Sequence, residues 1–253
     1  MTQYSANLGF LWQSLSLPDG IRAAKEAGFV AVECHWPYDE DIDEVTQALM
    51  ETGLPMLGLN TSRGNVAAGE NGLSALVGRE HDAKATIDKA IDYAVHWSVP
   101  NIHVMAGFAN GEQAEATFLE NLRYACDQAS LHLITILIEP LNHHDAPGYF
   151  LQTSAQAADI IAKVDRPNIK LMFDFYHLQI MEGDVCRHFE SLLPIIGHVQ
   201  IASVPDRAEP DSGELNYRYI LDRLKKMGYT QPIGAEYKPS SDTIECDWMK
   251  ALI

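Results

Sequence analysis

The chain repeats one rhythm. A short apolar run rich in Val, Ile and Leu is followed by a longer stretch with apolar residues three and four apart. The short runs fall at 5–11, 29–34, 54–60, 101–105, 133–138, 169–173, 195–201 and 233–236. Their length and composition predict strands. The segments 18–27, 38–52, 79–99, 112–130, 154–164, 178–192 and 217–227 carry helical spacing, and a short last helix is expected from about Asp242 to the end. Pro18 opens the first helix and Gly28 follows it, the usual asymmetry of helix ends. Thr153 or Ser154 caps the fifth. Eight strict alternations imply parallel strands with crossover helices, the α/β class. The 253 residues match the ~250 typical of a closed (β/α)8 TIM barrel. A doubly wound open sheet is the competitor, but Leu11-Trp12-Gln13-Ser14 after the first strand lacks its glycine fingerprint. With no linker, repeat array or low-complexity tract, residues 1–253 are expected to form a single barrel domain.

The fifth strand organises the rest. Leu133 to Ile138 is continuously apolar, as in a strand buried on both faces, and stops on Glu139 and Pro140. A carboxylate there is costly unless it is used. Three later strands end alike, at Asp174, Gln200 and Glu236. In a barrel, the strands' C-terminal ends open onto one face, with neighbouring strands ~4.8 Å apart. Four successive ends therefore converge. Three carboxylates that close repel strongly unless one is protonated or a cation joins them. Four oxygen donors favour Mg²⁺ or Mn²⁺ over zinc. Taken singly, each is as well explained as a helix N-cap or a surface charge; four at successive ends are not. Residues 61–78 break the rhythm, with Gly64, Gly69, Gly72 and Gly78 and little periodicity. A loop this long in a compact fold is usually functional or disordered.

Composition narrows the function. A 47% apolar and 21% charged chain is ordinary for a globular protein, and a formal charge of −17 argues against a nucleic-acid surface. It leaves room for a small anionic substrate met by a few local cations. Cys34, Cys126, Cys186 and Cys246 are widely spaced without a C-x-x-C pair, which fits free thiols in a reducing cytoplasm. The opening M-T-Q-Y-S has no secretory pattern, and no apolar run approaches the ~20 residues of a membrane span, so no membrane partner is expected. Monomer and homo-oligomer both stay open.

Several motifs together resemble the hydroxypyruvate isomerase family of the sugar isomerase/epimerase (β/α)8 barrels. They are L-N-T at 59–61, G-E-N-G-L at 69–73, G-R-E at 78–80, H-V-M-A-G at 103–107, I-E-P-L-N at 138–142, F-D-F-Y-H at 173–177, G-H-V-Q-I-A at 197–202, P-D-R at 205–207 and G-A-E-Y at 234–237. The likeness spans nearly the whole chain; it departs at the end, where the last helix looks short. It implies metal ligands at Glu139, Asp174, Gln200 and Glu236, with Glu139 and Glu236 doubling as the proton-transfer pair. Related ketose 3-epimerases usually carry His where this chain has Gln200, which places it on the isomerase side. The implied reaction interconverts hydroxypyruvate and tartronate semialdehyde through an enediolate. A 2-oxo-tetronate isomerase, a ketose 3-epimerase, a barrel-type endonuclease and a non-catalytic binding barrel are the alternatives. Candidates to receive a substrate carboxylate are Arg79, Arg207 and Lys238, helped by His177 or His103. His198 points to the same side of its strand as Gln200, and Trp12, Trp36 and Phe108 are candidate pocket walls.

Overall fold

The computed structural model describes residues 2–241, 244 and 246–252. Eight parallel strands form the sheet: β1 (Tyr4–Asn7), β2 (Ala31–Glu33), β3 (Leu59–Asn60), β4 (Asn101–His103), β5 (Thr135–Ile138), β6 (Ile169–Asp174), β7 (Ile196–Ile201) and β8 (Ile233–Ala235). Their order is β2-β1-β8-β7-β6-β5-β4-β3. The ends of that order meet, because the segment before β3 bonds to β2: Val32 N–H donates to Pro55 O, Leu57 N–H to Val32 O and Cys34 N–H to Gly58 O. The result is a nearly closed TIM barrel, as the alternation requires.

The outer helices are α1 (Leu17–Glu26), α2 (Ile42–Thr52), α3 (Glu80–Trp97), α4 (Gly111–Ser130), α5 (Ser154–Val164), α6 (Phe175–Met181), α7 (Val185–Leu192), α8 (Tyr217–Lys226) and α9 (Trp248–Ala251). Local chemistry sets their ends. Ser16 caps α1, Asp41 caps α2, and Gly53 at φ +66° closes α2. Ile87, Ala90, Ile91 and Ala94 form the buried stripe of α3, which seats that helix on the sheet.

Several elements differ from the sequence pattern; the third strand, expected over 54–60, keeps only Leu59–Asn60. Leu133 is 93% exposed at φ +60°, so the fifth apolar run starts in the turn that leaves α4, and the strand begins at Thr135. The helix expected over 178–192 is two helices. Gly183 (φ +68°) and Asp184 (φ +43°) interrupt it, while Glu182 turns aside to accept from Ser154 N–H (2.7 Å) and Oγ (2.9 Å). The first strand stops at Asn7, and residues 8–15 form turns. The expected start of the last helix, Asp242, lies outside the described residues; α9 begins at Trp248.

Candidate active site

Parallel pairing brings the strand ends together. Asp174 pairs with Gln200, Gln200 with Gly234, and Glu139 and Glu236 directly follow β5 and β8. All four polar side chains are buried. Asp174 serves both readings of a strand-end acid. One oxygen accepts from Tyr176 N–H at 2.8 Å and caps α6; the other, Oδ2, has no hydrogen-bond partner.

Glu236 is the anion of the group. Its Oε1 accepts from Asn7 Nδ2 (3.0 Å) and lies 2.9 Å from His35 Nε2; its Oε2 accepts from Arg207 at 2.7 Å. Burial works against charge there, but Arg207 and His35 outweigh it and hold the carboxyl down at about 2. Glu139 is the opposite case. Burial, then Glu236 and Asp174, push it well above the ordinary carboxylate range. Asp174 is pushed up to about 7 by burial and by Glu236. Arg207 sits at φ +54°, a backbone conformation that costs on the order of 1–3 kcal/mol. Its backbone is tied on both sides, to Ser203 and Lys238. Its guanidinium lies between the rings of Phe10 (4.5 Å) and Tyr176 (4.8 Å) and also reaches Asp145 at 3.2 Å.

Glu139, Asp174, His177 and Glu236 each offer an atom within 4.8 Å of the others. His177 has a different part from the acids. Asn142 N–H donates to its Nδ1 at 3.0 Å, and burial drops the ring's pKa to about 3. A neutral ring with an accepting Nδ1 carries its proton on Nε2. That N–H faces Glu139 (3.8 Å) and Asp174 (3.7 Å), so His177 is a donor over the site rather than a ligand. The missing oxygen comes from Gln200. Its Nε2 donates to Glu33 Oε2 at 3.0 Å, and the amide oxygen therefore faces the other way. Among the described residues, Gln200 Oε1, Glu139 Oε1 and Asp174 Oδ2 are all buried without a partner. Each such orphan costs about 1–3 kcal/mol. Glu139 Oε1 and Asp174 Oδ2, clustered with the ionised Glu236 and with Gln200 in register beside Asp174, are a donor set that fits a hard divalent cation.

Glu139 and Glu236 open into a cavity of about 180 Å³ walled by Phe10, Trp36, Met105 and Leu141, with His103, His177 and Arg207 on its lining. A wider depression of about 470 Å³ beside it reaches His35 and Trp36 but none of the strand-end carboxylates. His103 is fully buried and neutral, its pKa lowered to about 3 by burial, with Nδ1 3.5 Å from Glu139. Two expected substrate contacts are placed elsewhere. Arg79 is committed to Glu70 and Asp82 (2.6 Å), and Lys238 is exposed outside the cavity. Trp12 packs edge-on against Phe29 and Phe108 against Tyr149, so of the three aromatics only Trp36 lines the cavity. Sequence reasoning missed His35, Arg63, Asn7 and Glu33. Glu33 carried the same signal as the later acids, a charge closing an apolar strand. Arg63 carried none, because it lies in an aperiodic loop.

Relatives over the full length share this fold. Residues 21–252 match the model of the xylose isomerase-like TIM barrel. The chain is 39% identical to the 2-oxo-tetronate isomerase of Haemophilus influenzae, over 99% of both chains. It is 38% identical to the hydroxypyruvate isomerase of Escherichia coli K12, over 96% of both. A Brucella melitensis crystal structure described as an AP endonuclease of family 2 superposes with a TM-score of 0.95, at 40% identity over 99% of both chains. On this fold, this arrangement of acids and these full-length relatives, the chain belongs to the xylose isomerase-like TIM barrel family and is an isomerase of the hydroxypyruvate isomerase kind.

Proposed function

We propose that the protein isomerises a short 2-oxo acid, hydroxypyruvate to tartronate semialdehyde, with a divalent cation held by Glu139, Asp174, Gln200 and Glu236. When bound, such an ion, Mg²⁺ or Mn²⁺ by its oxygen donors, stabilises negative charge on substrate oxygen. The protein's own groups move the proton. One leaves C3, an enediolate forms, and a proton arrives at C2; the hydroxyl proton passes from O3 to O2, so nothing is gained or lost. Such a transfer needs one group ready to accept and another ready to give. Glu236, bonded to Arg207 and beside His35, and Glu139, with an orphaned oxygen, line one cavity, where one can take the proton from C3 and the other return one to C2. That facing pair carries the reading. The Nε2–H of His177 is placed to donate to a substrate oxygen.

The cavity's size supports a small substrate. At about 180 Å³ it is below the ~300–1,000 Å³ of pockets for drug-sized ligands. That favours a three- or four-carbon acid over a six-carbon ketose. The Haemophilus relative, named for a 2-oxo-tetronate, keeps a substrate one CHOH longer as the second reading. The −17 charge weighs against the endonuclease described for the Brucella structure, because phosphate binding needs clustered cations. All four cysteines are free, which fits a cytoplasmic enzyme.

Proton NMR in D₂O tests the reading, with Mg²⁺ or Mn²⁺ and hydroxypyruvate, a four-carbon 2-oxo acid and fructose in parallel. Deuterium entering the three-carbon acid as semialdehyde appears is the expected result. Exchange only with the four-carbon acid keeps the mechanism and changes the substrate. Exchange only with fructose moves the protein to the epimerases, and no exchange at all removes the isomerase reading.

A further inference from the structure

The candidate site is rich in negative charge, and its most prominent cation is already spent. Arg207 serves Glu236 and Asp145. Arg79 staples the glycine-rich loop through Glu70, whose Oε2 also accepts from Asn65 N–H at 2.6 Å. The other arginine of that loop, Arg63, lies on the cavity with Glu139, His177 and Glu236. Its guanidinium sits 4.8 Å from the centre of the Trp36 ring. Its Nε donates to Asn71 Oδ1 at 2.8 Å. Among the described residues, neither terminal nitrogen has a hydrogen-bond partner, and no acid pairs with it.

The side chain is held from three directions. Trp36 supports its face and is itself fixed by Nε1–H donating to Met105 Sδ at 3.4 Å. Asn71 takes the inner N–H. The backbone carbonyl of Arg63 accepts from Gly72 N–H at 2.9 Å, which ties the two arms of the loop together. Gly64, at φ +87°, lets the chain turn directly after it; any side chain there would run into Glu70 and Leu73. A guanidinium with its stem and Nε fixed and both NH₂ groups free presents the two-pronged donor that a carboxylate takes most strongly. An arginine serving only as a surface charge has no need of three restraints.

We propose that Arg63 grips the substrate's carboxylate, and so fixes which end of a small acid lies over Glu139 and Glu236. The inference rests on the isomerase reading above and names the determinant of its substrate class. An acid held at this end by its carboxylate places its 2-oxo and 3-hydroxyl carbons toward the strand-end carboxylates. A neutral ketose has nothing to offer the fork.

Two variants test it, R63M, which keeps the apolar stem on Trp36, and R63K, which keeps a charge without the fork. Steady-state kinetics with hydroxypyruvate and saturating Mn²⁺ are read as separate KM and kcat values. Calorimetry measures binding of Mn²⁺ alone, and of glycerate, an unreactive hydroxy acid, to the Mn²⁺-loaded protein. The expected result for R63M is a KM and a glycerate Kd raised roughly 10- to 100-fold, the loss of a charge-assisted pair. Its kcat should change much less, and its Mn²⁺ affinity not at all. R63K should recover part of the loss. An active wild type whose R63M variant keeps its KM and glycerate affinity overturns the role of Arg63 alone, as does a fall confined to kcat. A wild-type protein inert toward every 2-oxo acid overturns the isomerase reading, and this inference with it.

Discussion

The barrel buries two polar clusters one above the other, and their acids are treated in opposite ways. In the lower set, Glu33 ends β2 with both oxygens bonded, one by Ser5 Oγ at 2.5 Å and one by Gln200 Nε2 at 3.0 Å. His198 adds a charge contact at 3.0 Å without hydrogen-bond alignment. Gly234 makes the space, since a Cβ there would meet Glu33 at 2.5 Å and Gln200 at 2.8 Å. In the upper set, Glu139 and Asp174 each keep an orphaned oxygen, and burial pushes both carboxyls up. A buried acid whose oxygens are all bonded needs nothing more. A buried acid left half-bonded, in a fold that satisfies its neighbour one layer down, is kept for something that arrives later. Gln200 joins the layers: it donates downward and leaves its oxygen facing up.

The sharpest break of this comparison lies within the upper set. Glu139→Gln and Glu236→Gln should each lower kcat roughly 10²- to 10⁴-fold, the range of a lost acid–base group. Their effects on folding should differ. Burial already works against charge on Glu139, so its amide should leave the metal-free melting temperature near wild type. Glu236→Gln strips the buried Arg207 of its closest partner at 2.7 Å. Breaking such a pair costs about 3–5 kcal/mol; Asp145 and Asp174 still face Arg207, so the lower end is expected. Equal melting temperatures for the two variants would remove the contrast, and near-wild-type kcat in either would remove the proton-transfer pair.

Much of the upper set was legible because each acid closes a strand, and the barrel makes neighbours of successive strand ends. Asp174 and Gln200 are register partners on β6 and β7, strands that eight alternations already make neighbours. What was not legible depended on distance through space. Arg79 and Lys238 sit near site motifs in sequence, yet one is drawn off by Glu70 and the other faces solvent. Arg63 reaches the cavity because the loop folds back through Gly72. Leu133 belonged to the apolar run by pattern alone; the left-handed turn after α4 turns it out to solvent. Glu33 was hidden by its own bonding. It ends a strand as Glu139 does, but in the fold Ser5 and Gln200 use up both oxygens.

That bonding gives the next effect. Glu33→Gln ends the obligation of Gln200 to donate downward, since the new amide can itself donate and the Gln200 amide is free to turn over. Loss of an outer partner of a ligating group typically weakens metal binding about 10- to 100-fold. Calorimetry with Mn²⁺ should find the variant in that range, with an unchanged circular dichroism spectrum. Wild-type Mn²⁺ affinity would make the lower set plain packing, with no hold on the upper.

The smallest expected effect is one of pH, and its sign follows from the upper set's unsatisfied acids. In the metal-free protein Asp174 is raised to about 7, and Glu139 is raised too. A carboxyl raised in the folded state favours folding while both states are protonated. That advantage drains away as pH climbs from about 4, where the unfolded chain ionises, through the folded value near 7. A divalent cation needs those same oxygens ionised, so it restores most stability where the metal-free protein has lost most. At 100 times its Kd, a ligand adds about 2.7 kcal/mol. In a chain of this size that corresponds to roughly 5–10 °C. Scanning calorimetry at fixed Mn²⁺ should show a rise of that order at pH 7.5, shrinking toward zero by pH 5.5. A metal-induced rise of the same size at both pH values would mean that the orphaned oxygens of Glu139 and Asp174 are not where the ion binds.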